Sequence, residues 1–347
     1  MISVRLHVTS LVDAPPYTAV SYVWGEPSPT KQILLNGQPF TVRQNLWDLL
    51  SRLQEVKYDD YLWIDALSID QASDSEKTHQ VAIMGSIYTR AKKTIAWLGT
   101  ASMEVEEQVH ALKTELTVQE LPYLRQRPAN KDDPHVAGLR YILGHPYWTR
   151  TWIFQEYLLS SSVGFWCGNE ILSDLELKSR ADKLLSVKDP IETNAQAKAF
   201  YLIQIGSRSG VTDFSLEWLM DVSSESACVD PRDRIYALLS LMSPQEQELW
   251  DITPDYAASN QDLFEHLCSV FQCSVLQDTD EDVQRKVRRQ EQWKEELRYI
   301  LLLDPVDEDG QDKTYVSVEE DRQDKTYVSD VVETRPRDHR ASRLREK

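Results

Sequence analysis

A strand–helix–strand pattern over residues 61–98 constrains the fold of this chain more than any other feature of its sequence. Residues 61–65 and 94–98 are short apolar runs, typical of strands that are buried on both faces of a sheet. The segment between them places its apolar residues at helical spacing. Because parallel strands need a crossover connection, this alternation predicts βαβ units and an α/β fold with a mainly parallel sheet and flanking helices.

Further strands are predicted on both sides of this unit. Alternating and β-branched segments predict strands before residue 61, and an Asn36-Gly37 pair predicts the two-residue turn of a hairpin. The predicted strands cover residues 2–9, 17–24, the two arms of the hairpin 32–42, and 163–167.

The character of the chain changes twice along its length. Residues 1–170 carry the α/β pattern, residues 171–277 are mainly helical, and charged residues dominate from 278 to 347. This last part is predicted to be a largely disordered tail with one helix over residues 291–303. It contains the segment QDKTYVS twice, at 311–317 and 323–329, which is too few copies for a solenoid.

Composition excludes several classes of protein. The formal net charge of −18 argues against unspecific binding to nucleic acid or anionic lipid. No apolar run approaches the roughly 20 residues needed to span a bilayer, and residues 1–8 do not read as a secretory signal. The four cysteines form no CxxC pair and no zinc-like spacing with histidine. A cytoplasmic protein without a structural metal is predicted, and signatures of kinases, zinc proteases and nucleotide switches are missing.

Two acidic positions stand out as candidates for chemistry. A continuous helix over residues 146–159 would place Glu156 on one face with Trp148 and Trp152, where a carboxylate is costly unless it is paired. Such an acid is either catalytic or, as the pattern alone favours, paired with an arginine such as Arg232 or Arg234. Asp65 follows a buried strand, where ligands bind in open α/β sheets, although it could equally cap a turn.

Several ordered segments of the chain form a recognisable set. They are YTAVSYVWG at 17–25, LWIDALSIDQ at 62–71, QVAIMGSIY at 80–88, residues 91–99, YWTRTWIFQE at 147–156, DPRDRIYALL at 230–239 and Asp255-Tyr256. Read together, these segments resemble the fungal heterokaryon-incompatibility (HET) domain. The resemblance covers about residues 17–170 and makes residues 1–170 the expected HET domain, with echoes as far as about residue 256. Two positions depart from the family pattern: Ser68 stands where cysteine is usual, and Lys77 stands where arginine is usual.

The resemblance implies a role in non-self recognition between fungal individuals and in programmed cell death. HET domains also resemble TIR domains, which implies a flavodoxin-like fold. Some TIR domains cleave NAD with a helical glutamate, and the similar segment here would make Glu156 catalytic. Ser21 and Asp65 would then bind ribose hydroxyls, and Trp24 or Trp148 would stack on a ring of NAD, although packing in the core is the more common use of tryptophan.

Three hypotheses follow. The first is a cell-death effector that hydrolyses NAD as substrate, without a metal or cofactor. The second is a non-enzymatic signalling module that self-associates or binds a sensor protein. The third is a degenerate member that retains little beyond the fold. An open pocket that reaches Glu156 and Asp65 would favour the first, and Glu156 sealed in an ion pair with Arg232 or Arg234 would favour the second.

Overall fold

A nine-stranded sheet with helices on both faces forms the centre of the molecule. The computed structural model describes residues 1–114, 133–185, 191, 193–206, 213–277, 283–302 and 331–333. The strands are β1 (Ser3–His7), β2 (Tyr17–Tyr22), β3 (Thr30–Leu35), β4 (Gln38–Arg43), β5 (Tyr61–Trp63), β6 (Lys93–Trp97), β7 (Val163–Cys167), β8 (Glu170–Ser173) and β9 (Val331–Glu333).

The helices account for most of the remaining described backbone. They are α1 (Gln44–Glu55), α2 (Asp65–Ser68), α3 (Asp74–Arg90), α4 (Met103–Ala111), α5 (Pro134–Leu143), α6 (Ile153–Leu158), α7 (Asp174–Leu185), α8 (Asn194–Gly206), α9 (Leu216–Ser223), α10 (Asp233–Tyr236), α11 (Pro244–Trp250), α12 (Asn260–Gln277) and α13 (Val283–Ile300). Two short 3-10 helices cover Pro146–Thr149 and Leu239–Leu241.

The predicted α/β fold with flanking helices is confirmed, and its sheet is mixed, with parallel strands at the centre and antiparallel pairs at both edges and beside β9. Its strands lie in the order β4-β3-β1-β9-β5-β2-β6-β7-β8, and β5, β2, β6 and β7 are mutually parallel. Numbered by their order in the chain, these four strands lie 2-1-3-4, which is the flavodoxin-like order of a doubly wound sheet. The order of the strands reverses between β2 and β6. The space beyond the carboxyl ends of these two strands is therefore the switch point, where such sheets bind ligands.

The hairpin of β3 and β4 also follows the prediction. Asn36 and Gly37 both have positive φ, at 51° and 84°, as a two-residue hairpin turn with this sequence requires. The Asn36 side chain additionally accepts a hydrogen bond of 2.9 Å from the backbone N–H of Leu6. The turn therefore joins the hairpin to β1.

The two faces of the sheet are covered differently. On one face, α1 packs Leu46, Leu49, Leu50 and Leu53 against residues of β2 and β6. Burying one such side chain stabilises the fold by roughly 1.5–3 kcal/mol. On the other face, α3, α5 and α6 share one continuous core with the helices that follow residue 171. The mainly helical region is thus packed on the α/β part through a common core.

The helix predicted at residues 291–303 is present and begins earlier, at Val283. Trp293 of this helix stacks on Phe271 at 4.2 Å between ring centroids and lies 5.6 Å from the Trp250 ring. The short strand β9 pairs antiparallel with β1 and β5. The rest of the predicted disordered tail, including both QDKTYVS copies, lies outside the described residues. Within the described chain no helix is long and apolar enough to cross a bilayer.

Candidate functional site

The segment that carries Glu156 is not the continuous helix that the sequence predicts. A 3-10 helix ends at Thr149, Arg150 is extended with φ −74° and ψ 141°, and α6 begins only at Ile153. The interruption has a tertiary cause. The backbone N–H of Ala227 donates to the Thr149 carbonyl at 2.6 Å, and the Thr151 N–H donates to the Ala227 carbonyl at 3.0 Å. The helical wheel over residues 146–159 was therefore wrong, although Glu156 is buried as it predicted.

Arg150 and Glu156 form a bidentate ion pair in the interior. Nη1 of Arg150 donates to Oε2 of Glu156 at 2.6 Å, and Nη2 donates to Oε1 at 2.8 Å. Glu156 is only 2% exposed, so both charges depend on each other for compensation. The break in the helix makes this geometry possible, because it turns the Arg150 side chain back towards α6.

Ser21, near the carboxyl end of β2, completes the polar contacts of the pair. Its hydroxyl donates to Oε2 of Glu156 and lies 2.9 Å from the hydroxyl of Tyr147. Nη1 of Arg150 also reaches the Ser21 hydroxyl, at 3.5 Å. Burial raises the pKa of Tyr147, and the Glu156 carboxylate raises it further, so Tyr147 is a neutral hydrogen-bonding group here. We call Ser21, Asp65, Tyr147, Arg150 and Glu156 the acid–arginine cluster.

Asp65 contributes the second carboxylate of the cluster. It is the first residue of α2, directly beyond β5, and accepts hydrogen bonds of 2.7 Å from the Trp24 indole and from the backbone N–H of Ala66. Burial raises its pKa to about 6, and the charge of Glu156 acts in the same direction while Arg150 opposes it. Asp65 therefore lies just beyond a strand end, as predicted, and its carboxylate binds the adjacent Ala66 N–H. The N-cap of α2 is Ile64 and not Asp65.

The two tryptophans named from the sequence occupy different environments. Trp24 is half-buried beside the cluster through its bond to Asp65, and the Arg43 guanidinium lies 5.4 Å from its ring. Trp148 is 1% exposed and packs against Tyr147, Tyr157 and Phe165, with its indole N–H bound to the Ile142 carbonyl. The structure thus brings Trp24 to the cluster and places Trp148 in the core behind it.

The arginines that the sequence suggested as partners of Glu156 bind elsewhere. Arg232 pairs with Asp230 at 2.7 Å and donates to the Tyr256 carbonyl at 3.0 Å. Arg234 donates to the carbonyl of Ser224 at 3.2 Å. The prediction of these two partners was wrong. The backbone hydrogen bonds to Ala227 hold Arg150 against Glu156, and Arg232 and Arg234 lie on a different segment.

A further acid, the half-buried Asp233, lies close to α6 and was not predicted from the sequence. The Asp233 carboxylate accepts hydrogen bonds from the Trp152 indole, at 3.1 Å, and from the Tyr256 hydroxyl. Burial raises its pKa to about 6. Lys77 lies 4.5 Å from the centre of the Tyr256 ring, so the departure from arginine at this position keeps a cation there. The charged segment DPRDR at 230–234 was the only indication of Asp233 in the sequence.

Ser68, the other departure from the family pattern, is fully buried at the end of α2. Its hydroxyl accepts a 3.4 Å hydrogen bond from the backbone N–H of Ile64. A metal-binding group of three or more His, Cys, Asp or Glu side chains is absent from the residues that the structure describes.

The fold and the cluster define the chain as a doubly wound α/β protein with two carboxylates and an arginine at the switch point of its sheet. Residues 17–156, less than half of the chain, match the family "Heterokaryon incompatibility protein (HET)". The chain is thus similar to this family over these residues, and both Arg150 and Glu156 lie within the match.

A curated relative extends the similarity beyond the domain. The chain is 24% identical to "Heterokaryon incompatibility protein 6, OR allele" of Neurospora crassa, over 72% of this chain and 46% of that protein. It therefore spans less than half of the length of this relative. No solved structure matches the chain.

Proposed function

We propose that this protein acts in non-self recognition between fungal individuals and triggers cell death by hydrolysing NAD at the acid–arginine cluster. The observation that carries the proposal is the placement of Glu156, Asp65 and Arg150 together at the switch point, where doubly wound sheets bind nucleotides. The family match and the name of the Neurospora relative support the biological setting.

Glu156 is the residue to which we assign the chemical step. The bond between the ribose C1′ and the nicotinamide nitrogen breaks, and its electron pair leaves with nicotinamide. The carboxylate of Glu156 stabilises the positive charge that develops on the ribose. Water then adds to C1′ and loses a proton, which yields ADP-ribose. Ser21 and Asp65 would bind ribose hydroxyls, and Trp24 would stack on a ring of NAD.

Arg150 has to exchange partners before this step. In the described conformation it occupies both carboxylate oxygens of Glu156. The pyrophosphate of NAD offers an arginine the same bidentate geometry as a carboxylate. Binding of the dinucleotide would thus draw Arg150 from Glu156 and free the catalytic carboxylate within the same site.

A non-enzymatic signalling module is the second candidate, and one observation favours it. Glu156 is 2% exposed and bound on both oxygens, as expected of an ion pair that braces the core. In that case the domain would act by self-association or by binding a sensor protein, and the cluster would hold α6 against β2.

Nicotinamide release from NAD separates the two functions. Concentrated protein should release nicotinamide, and Glu156→Gln and Glu156→Ala should abolish the release. Glu170→Gln is the matched control, because Glu170 is also ion-paired, to Lys113 at 3.0 Å, but on β8. Equal release by all variants would exclude Glu156 as the catalyst. Absence of release at concentrations that permit self-association would favour the signalling module.

A further inference from the structure

A groove of about 490 Å³ lies between α9 and α13. Its floor is apolar, because Met220 of α9 and Trp293 and Ile300 of α13 are buried there. Its rim is acidic, because Asp221 of α9 and Glu296 of α13 line the groove and are exposed. None of the described residues that line the groove is basic. The groove thus offers an apolar surface framed by negative charge.

Two aromatic residues of α13 indicate that the groove is a binding surface. Tyr299 is 72% exposed beside the apolar floor, and tyrosine is among the residues enriched at protein interfaces. Trp293 is 5% exposed, and its indole N–H has no acceptor within the described part of the chain. A buried donor without an acceptor is unfavourable, so an occupant that supplies an acceptor would be favoured.

The first half of α13, residues 283–290, has the opposite charge. Positions 285, 288 and 289 precede Gln292 of the groove by seven, four and three residues, so they lie on the same side of the helix. A basic helix that also carries apolar residues at i and i+4 matches an acidic groove with an apolar floor. This half contains no acidic residue, and its basic and apolar residues are Val283, Arg285, Lys286, Val287, Arg288 and Arg289.

We propose that the groove binds the first half of α13 from a second copy of this chain. The first half cannot occupy the groove of its own chain, because it continues the same helix that forms one wall of the groove. A two-fold axis that sets two α13 helices antiparallel brings the basic half of each copy to the groove of the other. The two contacts are equivalent, so they close the assembly as a dimer. Neither α9 nor α13 carries a residue of the acid–arginine cluster, and the dimer is independent of whether that cluster hydrolyses NAD.

The mass of the full-length chain in solution tests the dimer. Sedimentation equilibrium should show monomers that associate to dimers as concentration rises. Salt weakens contacts between exposed charges, so raising the ionic strength from about 0.05 M to about 0.5 M should raise the Kd of the dimer about tenfold. A monomer at every concentration up to about 100 μM, or a dimer whose Kd does not change with salt, would overturn the proposal.

Charge reversal tests whether this surface forms the dimer. The groove variant combines Asp221→Lys with Glu296→Lys, and the helix variant combines Arg288→Glu with Arg289→Glu. Each variant alone places like charges against each other, so its Kd should rise at least about 100-fold. An equimolar mixture should form a heterodimer, because both contacts again join opposite charges. Variants that dimerise like the parent, or that stay monomeric when mixed, would contradict the proposed contact.

Glu107→Lys is the matched control for the groove variant. Glu107 is an exposed glutamate of α4, so its reversal changes the net charge without altering the groove. The Kd of this control should equal that of the parent. Recovery of the dimer in the mixture shows that both charge-reversed variants are folded, and thermal unfolding of each variant checks this separately. A Kd raised as much by Glu107→Lys would attribute the effect to net charge and refute the proposed contact.

Discussion

Arg150 and Glu156 form the contact in this molecule whose loss should be most costly. Each charge is removed from water, and each is compensated chiefly by the other. Sequence periodicity identifies Glu156 as buried but cannot identify Arg150 as its partner, because the arginine lies in an irregular stretch six residues earlier.

Arg150→Ala should destabilise the fold by about 3–5 kcal/mol, because it leaves the Glu156 carboxylate buried without a counter-charge. The double variant Arg150→Met with Glu156→Leu should cost much less than the sum of the single losses. Urea unfolding of the parent, Arg150→Ala, Arg150→Met, Glu156→Leu and the double variant measures these differences. Strictly additive losses would mean that the two side chains do not depend on each other.

A second prediction at the residue scale concerns Asp65 and the dependence of stability on pH. Its pKa is raised to about 6 from an ordinary 3.8, so the folded chain holds this proton more tightly than the unfolded chain. The contribution of Asp65 to stability is therefore complete below pH 3.8, falls as pH rises, and is lost above about pH 6.

Asp65→Asn should remove this loss, so the free energy of unfolding of the variant should improve relative to the parent as pH rises from 4 to 7. Asp233, whose pKa burial also raises to about 6, should make Asp233→Asn behave in the same way. Denaturant unfolding across the pH range gives both differences. If the free energies of unfolding of the parent and of Asp65→Asn changed equally with pH, this would contradict the raised pKa of Asp65.

At the scale of elements, close backbone approach decides how helices pack. Gly138 of α5 faces α4 so closely that a Cβ atom would lie 2.2 Å from the carbonyl oxygen of Gln108. This obstacle is backbone, which cannot rotate away as a side chain can. Helical periodicity places Gly138 in α5 but contains no information about the distance to α4.

Gly138→Ala should therefore destabilise the fold by about 1–3 kcal/mol through displacement of α4, despite the higher helix propensity of alanine. Gly164→Ala in β7 is the matched control, because a Cβ atom there would meet no atom closer than 3.6 Å. Thermal unfolding compares the two. A loss for Gly164→Ala equal to that for Gly138→Ala would argue against the close approach as the cause.

At the scale of the whole molecule, the α/β part, which contains the residues that match the family, and the helical region share their core. Gln155 donates to the Tyr236 carbonyl at 3.2 Å, Trp152 donates to Asp233 at 3.1 Å, and Ala227 bridges both sides of Arg150. The residues that match the family thus depend on contacts from outside the matched range.

A fragment of residues 1–170 should consequently lack a cooperative unfolding transition, whereas a fragment of residues 1–302 should retain one. The shorter fragment exposes the apolar side of α6 and loses the backbone bridge at Ala227. Urea unfolding and binding of a hydrophobic dye measure both properties. Equal cooperativity of the two fragments would mean that the domain is stable without the helical region.

Local sequence by itself determined the elements and the class of fold. The apolar runs at 61–65 and 94–98 and the Asn36-Gly37 turn predict their structures correctly, because each depends on neighbours within a few residues. The order of the four central parallel strands agrees with the flavodoxin-like fold that the family resemblance implied. Of the cluster, Glu156 and Asp65 could be proposed from burial pattern and strand ends.

Only the tertiary structure decided how those acids are paired. The break at Arg150 arises from hydrogen bonds to Ala227, 77 positions later in the chain, and it alone aims the guanidinium at Glu156. Likewise, Asp233 contacts Trp152 and Lys198 contacts Ser226, and each contact joins segments that are far apart in sequence. Periodicity describes a segment relative to its own axis, whereas an ion pair depends on where two segments meet.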